Sequence, residues 1–301
     1  MFCRVIYHRL LLKSLAITGL LHLLTSCFGA ISDPVELPYD EKLVIRALLV
    51  VGEPVNDIQI SRTLPPLDTF SYQKIFVGNA KVTLAIDGQS YTLELQPRST
   101  TATTVPYRSL YRIPNLRVQA GKTYALSVEW QSPSGKQLIA QASTRTPTEP
   151  QIDSVRLSPA FPVASNGRPD TVFTTEVFAK GRPNEMMRAG SVLVNPIGQV
   201  IASFGYGEVS FFEQITQTLL KSNNWRYTTA TVQVLSGQLQ TRAIIETYDG
   251  DYYKYFQTRN RSGQPSPLNP GGPNIDWNVK GDGIGVFSSV IQTQRRANVR
   301  R

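Results

Sequence analysis

The sequence predicts a mainly β chain: an N-terminal immunoglobulin-like antiparallel β-sandwich followed by a second β-rich domain with one or two short helices. Three observations predict it. Short runs of alternating apolar and polar residues recur, turn residues interrupt them about every ten positions, and the stiff stretch Pro147-Thr148-Glu149-Pro150 separates two such series. The composition, 41% hydrophobic and 18% charged over 301 residues, is that of a chain able to form a core.

Residues 1–26 read as an export signal. Arg4, Arg9 and Lys13 give a positive start, and the apolar stretch from Ser14 to Leu24 is about half the roughly 20 residues a helix needs to span a bilayer. The segment ends in Leu24-Thr25-Ser26-Cys27, which resembles the bacterial lipobox: an aliphatic residue, two small residues and the cysteine that becomes the acylated N-terminus. By that resemblance Cys27 carries a diacylglyceryl group and an N-linked acyl chain. Each buried CH₂ contributes about 0.8 kcal/mol, so more than one chain anchors stably. Residues 27–41, with Gly29, Pro34 and Pro38, read as a tether, and folded structure is expected from about Lys42.

Residues 42–146 are expected to form the sandwich. Lys42 to Val51 is aliphatic and β-branched and stops at Gly52 and Pro54; Ile58 to Thr63 alternates. Lys81 to Ile86, Asp87-Gly88 and Tyr91 to Leu95 predict a hairpin, because Asp-Gly suits a turn with two positive φ angles. A second hairpin is expected from Lys122 to Trp130, through Pro133-Ser134-Gly135, to Gln137 to Ala142. The chain has none of the immunoglobulin fold's paired cysteines, so the likeness is one of architecture.

Residues 151–294 form the second predicted region. Strands are expected at Ile152 to Leu157, Thr171 to Phe178, Ser191 to Val194, Val200 to Phe204, Thr228 to Leu235 and Arg242 to Thr247. Phe212 to Leu220 has apolar residues at roughly helical spacing. Tyr252, Tyr255 and Phe256 stand at i, i+3 and i+4, with Asp249 ahead of them as the N-cap candidate, which predicts a short helix packed on a sheet. Residues 295–301, with Arg295, Arg296, Arg300 and Arg301, read as a solvated basic tail.

Counting residues excludes several chemistries. The cysteines are Cys3 and Cys27 and the histidines His8 and His22, so cleavage before Cys27 leaves one cysteine and no histidine. Internal disulfides, Cys/His zinc sites, Ser-His-Asp triads and Cys-His pairs are then excluded. Removing Arg4, Arg9 and Lys13 lowers the formal charge from +9 to +6. No basic stripe with interleaved aromatics is present, so no nucleic-acid partner is expected.

Among local motifs, Gly281-Asp282-Gly283-Ile284-Gly285 has the wrong glycine spacing for a phosphate loop and reads as a turn into a last strand. Asp249-Gly250-Asp251 lacks the further ligands of a calcium loop. No cofactor or metal site is expected. Trp130, Trp225 and Trp277 read as packing residues. Tyr252, Tyr253 and Tyr255 are the candidate ligand contacts, as a stacking platform, with core packing as the competing reading.

The lipobox at Cys27 is followed by Leu43-Val44-Ile45, Ile60-Ser61-Arg62-Thr63-Leu64-Pro65, Ala80-Lys81-Val82-Thr83-Leu84 and Gly121-Lys122-Thr123-Tyr124-Ala125-Leu126. Ile152-Asp153-Ser154-Val155, Tyr252-Tyr253-Lys254-Tyr255, Asn274-Ile275 and Gly283-Ile284-Gly285-Val286-Phe287 come later. In this order and spacing they resemble the Bacteroidota lipoproteins of domain-of-unknown-function family 4249 (DUF4249). The proline-rich stretch before Pro273 and the basic end depart from the pattern. The resemblance implies no activity and no catalytic residue. The family's association with TonB-dependent receptors implies an accessory lipoprotein of the outer membrane, on its periplasmic or outer face.

Three functions stay open. The first expectation is a non-enzymatic binding or interaction module, membrane-attached through Cys27 and accessory to a TonB-dependent receptor. The second is a surface glycan hydrolase using paired carboxylates roughly 5 to 9 Å apart. The third is a structural or adhesive lipoprotein.

Overall fold

A computed structural model describes residues 39–96, 110–165, 168–180, 185–204, 224–228, 232–233, 240–261 and 275–299. Cys27, the signal, the expected helix at Phe212 to Leu220, Arg300 and Arg301 lie outside them. Glu41–Arg301 forms one unit, and the fold is that of this unit.

In chain order its strands are β1 Leu43–Val50, β2 Pro54–Arg62, β3 Lys81–Ile86, β4 Gln89–Thr92, β5 Glu94–Leu95, β6 Leu110–Arg117, β7 Thr123–Gln131 and β8 Gln137–Arg145. Then come β9 Gln151–Ser165, β10 Arg168–Lys180, β11 Met186–Val194, β12 Val200–Phe204, β13 Asn224–Thr228, β14 Val232–Gln233 and β15 Gln240–Tyr248. The last are β16 Lys280–Gly281, β17 Gly283–Arg296 and β18 Asn298–Val299. A one-turn helix α1, Tyr72–Ile75, follows β2, and α2, Gly250–Arg261, follows β15. The protein is mainly β.

Both expected hairpins form. Asp87 and Gly88 take φ of +49° and +82°, and Leu84 pairs with Tyr91 across the turn. β7 and β8 bury every second residue, as period-2 alternation demands of strands with one face on a core.

The strands make three sheets. The largest has eight strands in the order β12-β11-β15-β17-β1-β2-β6-β5; one five-stranded sheet runs β16-β8-β7-β3-β4, and the other joins β13, β10, β9 and β18, with β14 also on β10. One face of the large sheet meets both smaller sheets. Leu43, Ile45, Leu49 and Phe287 pack with Val82, Leu126 and Leu138 in a first core; Ala243, Ile245 and Met187 pack with Val155, Leu157 and Val177 in a second. The unbroken register from β1 through β17 to β15 places these large-sheet residues on one side. Residues one position out of phase, Met186, Tyr248 and Val290, face the other side, where α2 packs with Phe256 only 3% exposed.

The sandwich also carries a tyrosine corner. The Tyr124 hydroxyl accepts the Gln119 backbone N–H at 2.7 Å, five residues upstream.

The sequence division at Pro147 to Pro150 needs correction, because it does not divide the sheets. β1 pairs in parallel with β17 from Leu43↔Gly283 to Val50↔Val290, and β16 adds to β8, so C-terminal residues complete the N-terminal sandwich. The alternation of each strand gives its faces but not its partners. The reading of residues 295–299 as tail is also corrected. Arg295 and Arg296 belong to β17, opposite Ala243 and Arg242, and Asn298 pairs with Arg156 of β9. Arg295 also meets Glu149 at 2.8 Å.

The glycine-rich segment is a corner where the chain passes from one sheet to another. The Asp282 N–H donates to the Ile139 carbonyl of β8 at 2.8 Å, and its carbonyl accepts from Leu43 of β1 at 2.8 Å. Gly285 has φ +123°, and a Cβ there would lie 1.9 Å from the Ile45 oxygen. Here glycine serves close packing of backbones, and the segment reads as the expected turn into a last strand.

Candidate functional site

Helix α2 begins where Asp249 caps it. The Asp249 Oδ1 accepts the Tyr252 backbone N–H at 2.8 Å, and Asp251 stands in the first turn, where a negative charge suits the helix dipole. The other carboxylate oxygen, Oδ2, accepts from Thr144 Oγ1 at 2.5 Å, Ser289 N at 2.5 Å and Ser289 Oγ at 3.0 Å. One buried carboxylate thus fixes the helix start to β17 and to β8 of the neighbouring sheet. Burial raises its pKa, against the lowering effect of these hydrogen bonds.

The cap sets the helix phase, and the phase aligns aromatic rings. Tyr248 and Tyr252 stack at 4.6 Å and 15°, Tyr252 lies 5.9 Å from Phe256, and Tyr255 lies 5.5 Å from Trp277. Arg188 sits over Tyr248 at 5.7 Å and ion-pairs with Glu246, which also accepts from Tyr248 Oη at 2.7 Å and Gln292 Nε2 at 2.8 Å. Burial acts to raise the Glu246 pKa, but the Arg188 hydrogen bond and charge, with Gln292 and Tyr248, outweigh it and hold the carboxyl low. Tyr248 is raised by burial and then by the Glu246 charge.

Beyond this aromatic row, α2 overhangs β1, β2 and β17 and leaves a cleft of about 890 Å³. Its walls include Arg46, Leu48, Asp57 and Gln59 on the sheet and Tyr252, Tyr255 and Arg259 on the helix. The volume is within the roughly 300–1,000 Å³ of small-molecule sites. The burial that raises the Tyr252 phenol pKa is opposed by the charges of Arg188, Arg46 and Arg259.

Of the three candidate tyrosines, Tyr252 and Tyr255 reach the cleft. Tyr253 packs on the flank with Met186 and Val290, its hydroxyl beside Gln257. Trp130 is a packing residue, 4% exposed, and its Nε1 donates to Asn79 Oδ1 at 2.8 Å. Trp277 is 38% exposed beside Tyr255. Arg46, Gln59 and the Arg188–Glu246 pair were not singled out from the sequence. Period-2 reading of β1 puts Arg46 on the face away from the core, but nothing local says that a helix some 200 residues later covers it.

A second cleft, at the start of α2, is lined by Arg145, Glu185, Asp249, Asp251 and Lys254 among others. Among the described residues no group of three or more His, Cys, Asp or Glu side chains is arranged to hold a metal ion, and no helix is long and apolar enough to cross a membrane.

The sequence profile described as "Domain of unknown function (DUF4249)" matches residues 32–296. The chain belongs to that family. The match runs from before β1 to the end of β17, so both walls of the α2 cleft lie in the DUF4249 region. No curated protein matches this DUF4249 chain.

Proposed function

We propose that this DUF4249 protein is a non-enzymatic binding module, held at the outer membrane through acylated Cys27 and accessory to a TonB-dependent receptor. The observation that carries the reading is the cleft between α2 and the outer face of the eight-stranded sheet, which combines aromatic rings with guanidinium and amide groups. The lipobox supports the anchor. Two features agree with a binding role: Glu246 is engaged by Arg188, Gln292 and Tyr248, and both Asp249 oxygens accept hydrogen bonds from the protein.

The test is purification from native membranes in mild detergent. An acylated N-terminal cysteine by mass spectrometry and a co-purifying β-barrel receptor are expected, and Cys27→Ser should move the protein to the soluble fraction. A native product with residues 1–26 still attached, or one repeatedly recovered without a barrel, would overturn the anchor or the receptor role respectively.

The hydrolase reading keeps one supporting observation. Glu185 and Asp251 stand as two carboxylates in the lining of the second cleft, the pair of groups that carboxylate-based hydrolysis uses. Glycan cleavage that disappears in both Asp251→Asn and Glu185→Gln would establish it in place of the binding reading.

A further inference from the structure

We propose that the α2 cleft takes a small organic anion, a molecule with a carboxylate or phosphate on a ring or other partly apolar body, and that Arg46 is its charge partner. The proposal rests on the binding-module reading and names the ligand class for that site.

Arg46 is exposed at the middle of β1, on the sheet face that α2 overhangs, and it lines the cleft. Three other arginines of the large sheet meet carboxylates: Arg62 meets Glu41 at 2.8 Å, Arg112 meets Glu94 at 3.1 Å, and Arg188 is paired with Glu246. Among the described residues Arg46 has no ion pair or hydrogen bond through its side chain. A guanidinium presents a planar fork of donors that fits a carboxylate or phosphate bidentately, and such charge-assisted bonds are about twice as strong as neutral ones.

The rest of the cleft suits the body of such a ligand. Arg259 supplies a second guanidinium from the helix wall. Gln59, directly opposite Arg46 in the β1–β2 register, adds an amide that can both donate and accept. Tyr252, Tyr255, Val286 and the exposed Leu48 give apolar surface, so a bare inorganic ion would leave most of the space unfilled. Asp57 is a single carboxylate in the same wall, and it opposes an anion electrostatically.

The test titrates the full chain in mild detergent by calorimetry at low ionic strength. The probes are D-glucuronate, glucose 6-phosphate and citrate, with D-glucose as the uncharged counterpart. At least one anion should bind about tenfold or more tightly than glucose, and added salt should weaken it. Arg46→Ala should lower that affinity about tenfold or more, with unchanged circular dichroism because the side chain is outside the core. Asp57→Asn should raise it: asparagine tolerates the φ of +57° found there, so a gain reports charge and not folding. Trp277 fluorescence gives a second readout beside Tyr255.

Failure of all three anions to bind, or an Arg46→Ala variant that binds as well as the parent, overturns the proposal. Binding of all three anions no tighter than that of glucose also overturns it, but leaves an occupied cleft and the binding-module reading intact. Recovery of a barrel partner without any anion affinity removes the anion site alone.

Discussion

Asp249 and Thr144 stand 105 positions apart in the chain and meet through a hydrogen bond of 2.5 Å. Thr144 belongs to β8, in the small sheet, while Asp249 leaves β15 of the large one, and the same carboxylate caps α2. The helix wall of the cleft is therefore fixed to two sheets by one side chain.

Asp249→Ala removes the cap and leaves the buried Ser289 N–H without its acceptor, while the Thr144 hydroxyl keeps Ser289 Oγ as a partner. The expected loss is about 2–4 kcal/mol, a cap plus a buried unsatisfied donor. Urea denaturation checks it. Asp249→Asn keeps the oxygen toward Tyr252 and should lose less; equal losses would mean that the cap contributes nothing.

The two buried carboxylates have opposite pH signatures. Burial lifts Asp249 above its ordinary 3.8, so the folded state holds that proton more tightly than the unfolded chain. Its contribution is fully present below 3.8 and is lost as pH rises through the folded-state value. For Glu246 the Arg188 pairing overcomes burial and lowers the pKa below 4.5, so its contribution is present above 4.5 and is lost as pH falls through the folded-state value. Denaturation midpoints measured across the acid range should show Glu246→Gln flattening the acid limb and Asp249→Asn removing the opposing slope. An acid limb unchanged by Glu246→Gln counts against the Arg188 account.

Arg188→Met leaves Glu246, whose side chain is 5% exposed, charged and without its cation. The expected cost is about 3 kcal/mol or more. Adding Glu246→Gln to it should restore part of that stability; no recovery would assign the loss to Arg188 packing on Tyr248.

Gly285→Ala places a methyl group 1.9 Å from the Ile45 oxygen and forces φ of +123° on an L-residue, so the β1–β17 pairing must break. A loss above about 3 kcal/mol or failure to fold is expected, whereas Gly88→Ala, at φ +82° with open space around it, should cost about 1 kcal/mol. The ratio of soluble yields and melting temperatures decides between them.

Local structure was legible where local chemistry dictates it. Asp87-Gly88 gave its turn, β7 and β8 their alternation, and the Asp249, Tyr252 and Phe256 spacing a capped helix with one buried edge. What the sequence did not disclose is pairing between distant strands. β11 and β15 are buried on both faces, so their patterns carry no direction, and nothing near Leu43 marks Gly283 as its neighbour. Half of the cleft was visible for the same reason. Tyr252 and Tyr255 stand out as aromatics in one short run, but Arg46 acquires meaning only once α2 lies over it.

The parallel union of β1 with β17 has a temporal consequence. A chain made from its N-terminus exposes one bare edge of β1 until residues 283–290 arrive, after nearly all the rest has been synthesised. Closing so large a loop is slow, and during the delay Leu43, Ile45 and Leu49 are open to wrong partners. Truncations anywhere before Val290 should therefore yield aggregates, and a holding chaperone should engage the nascent chain through its first strand.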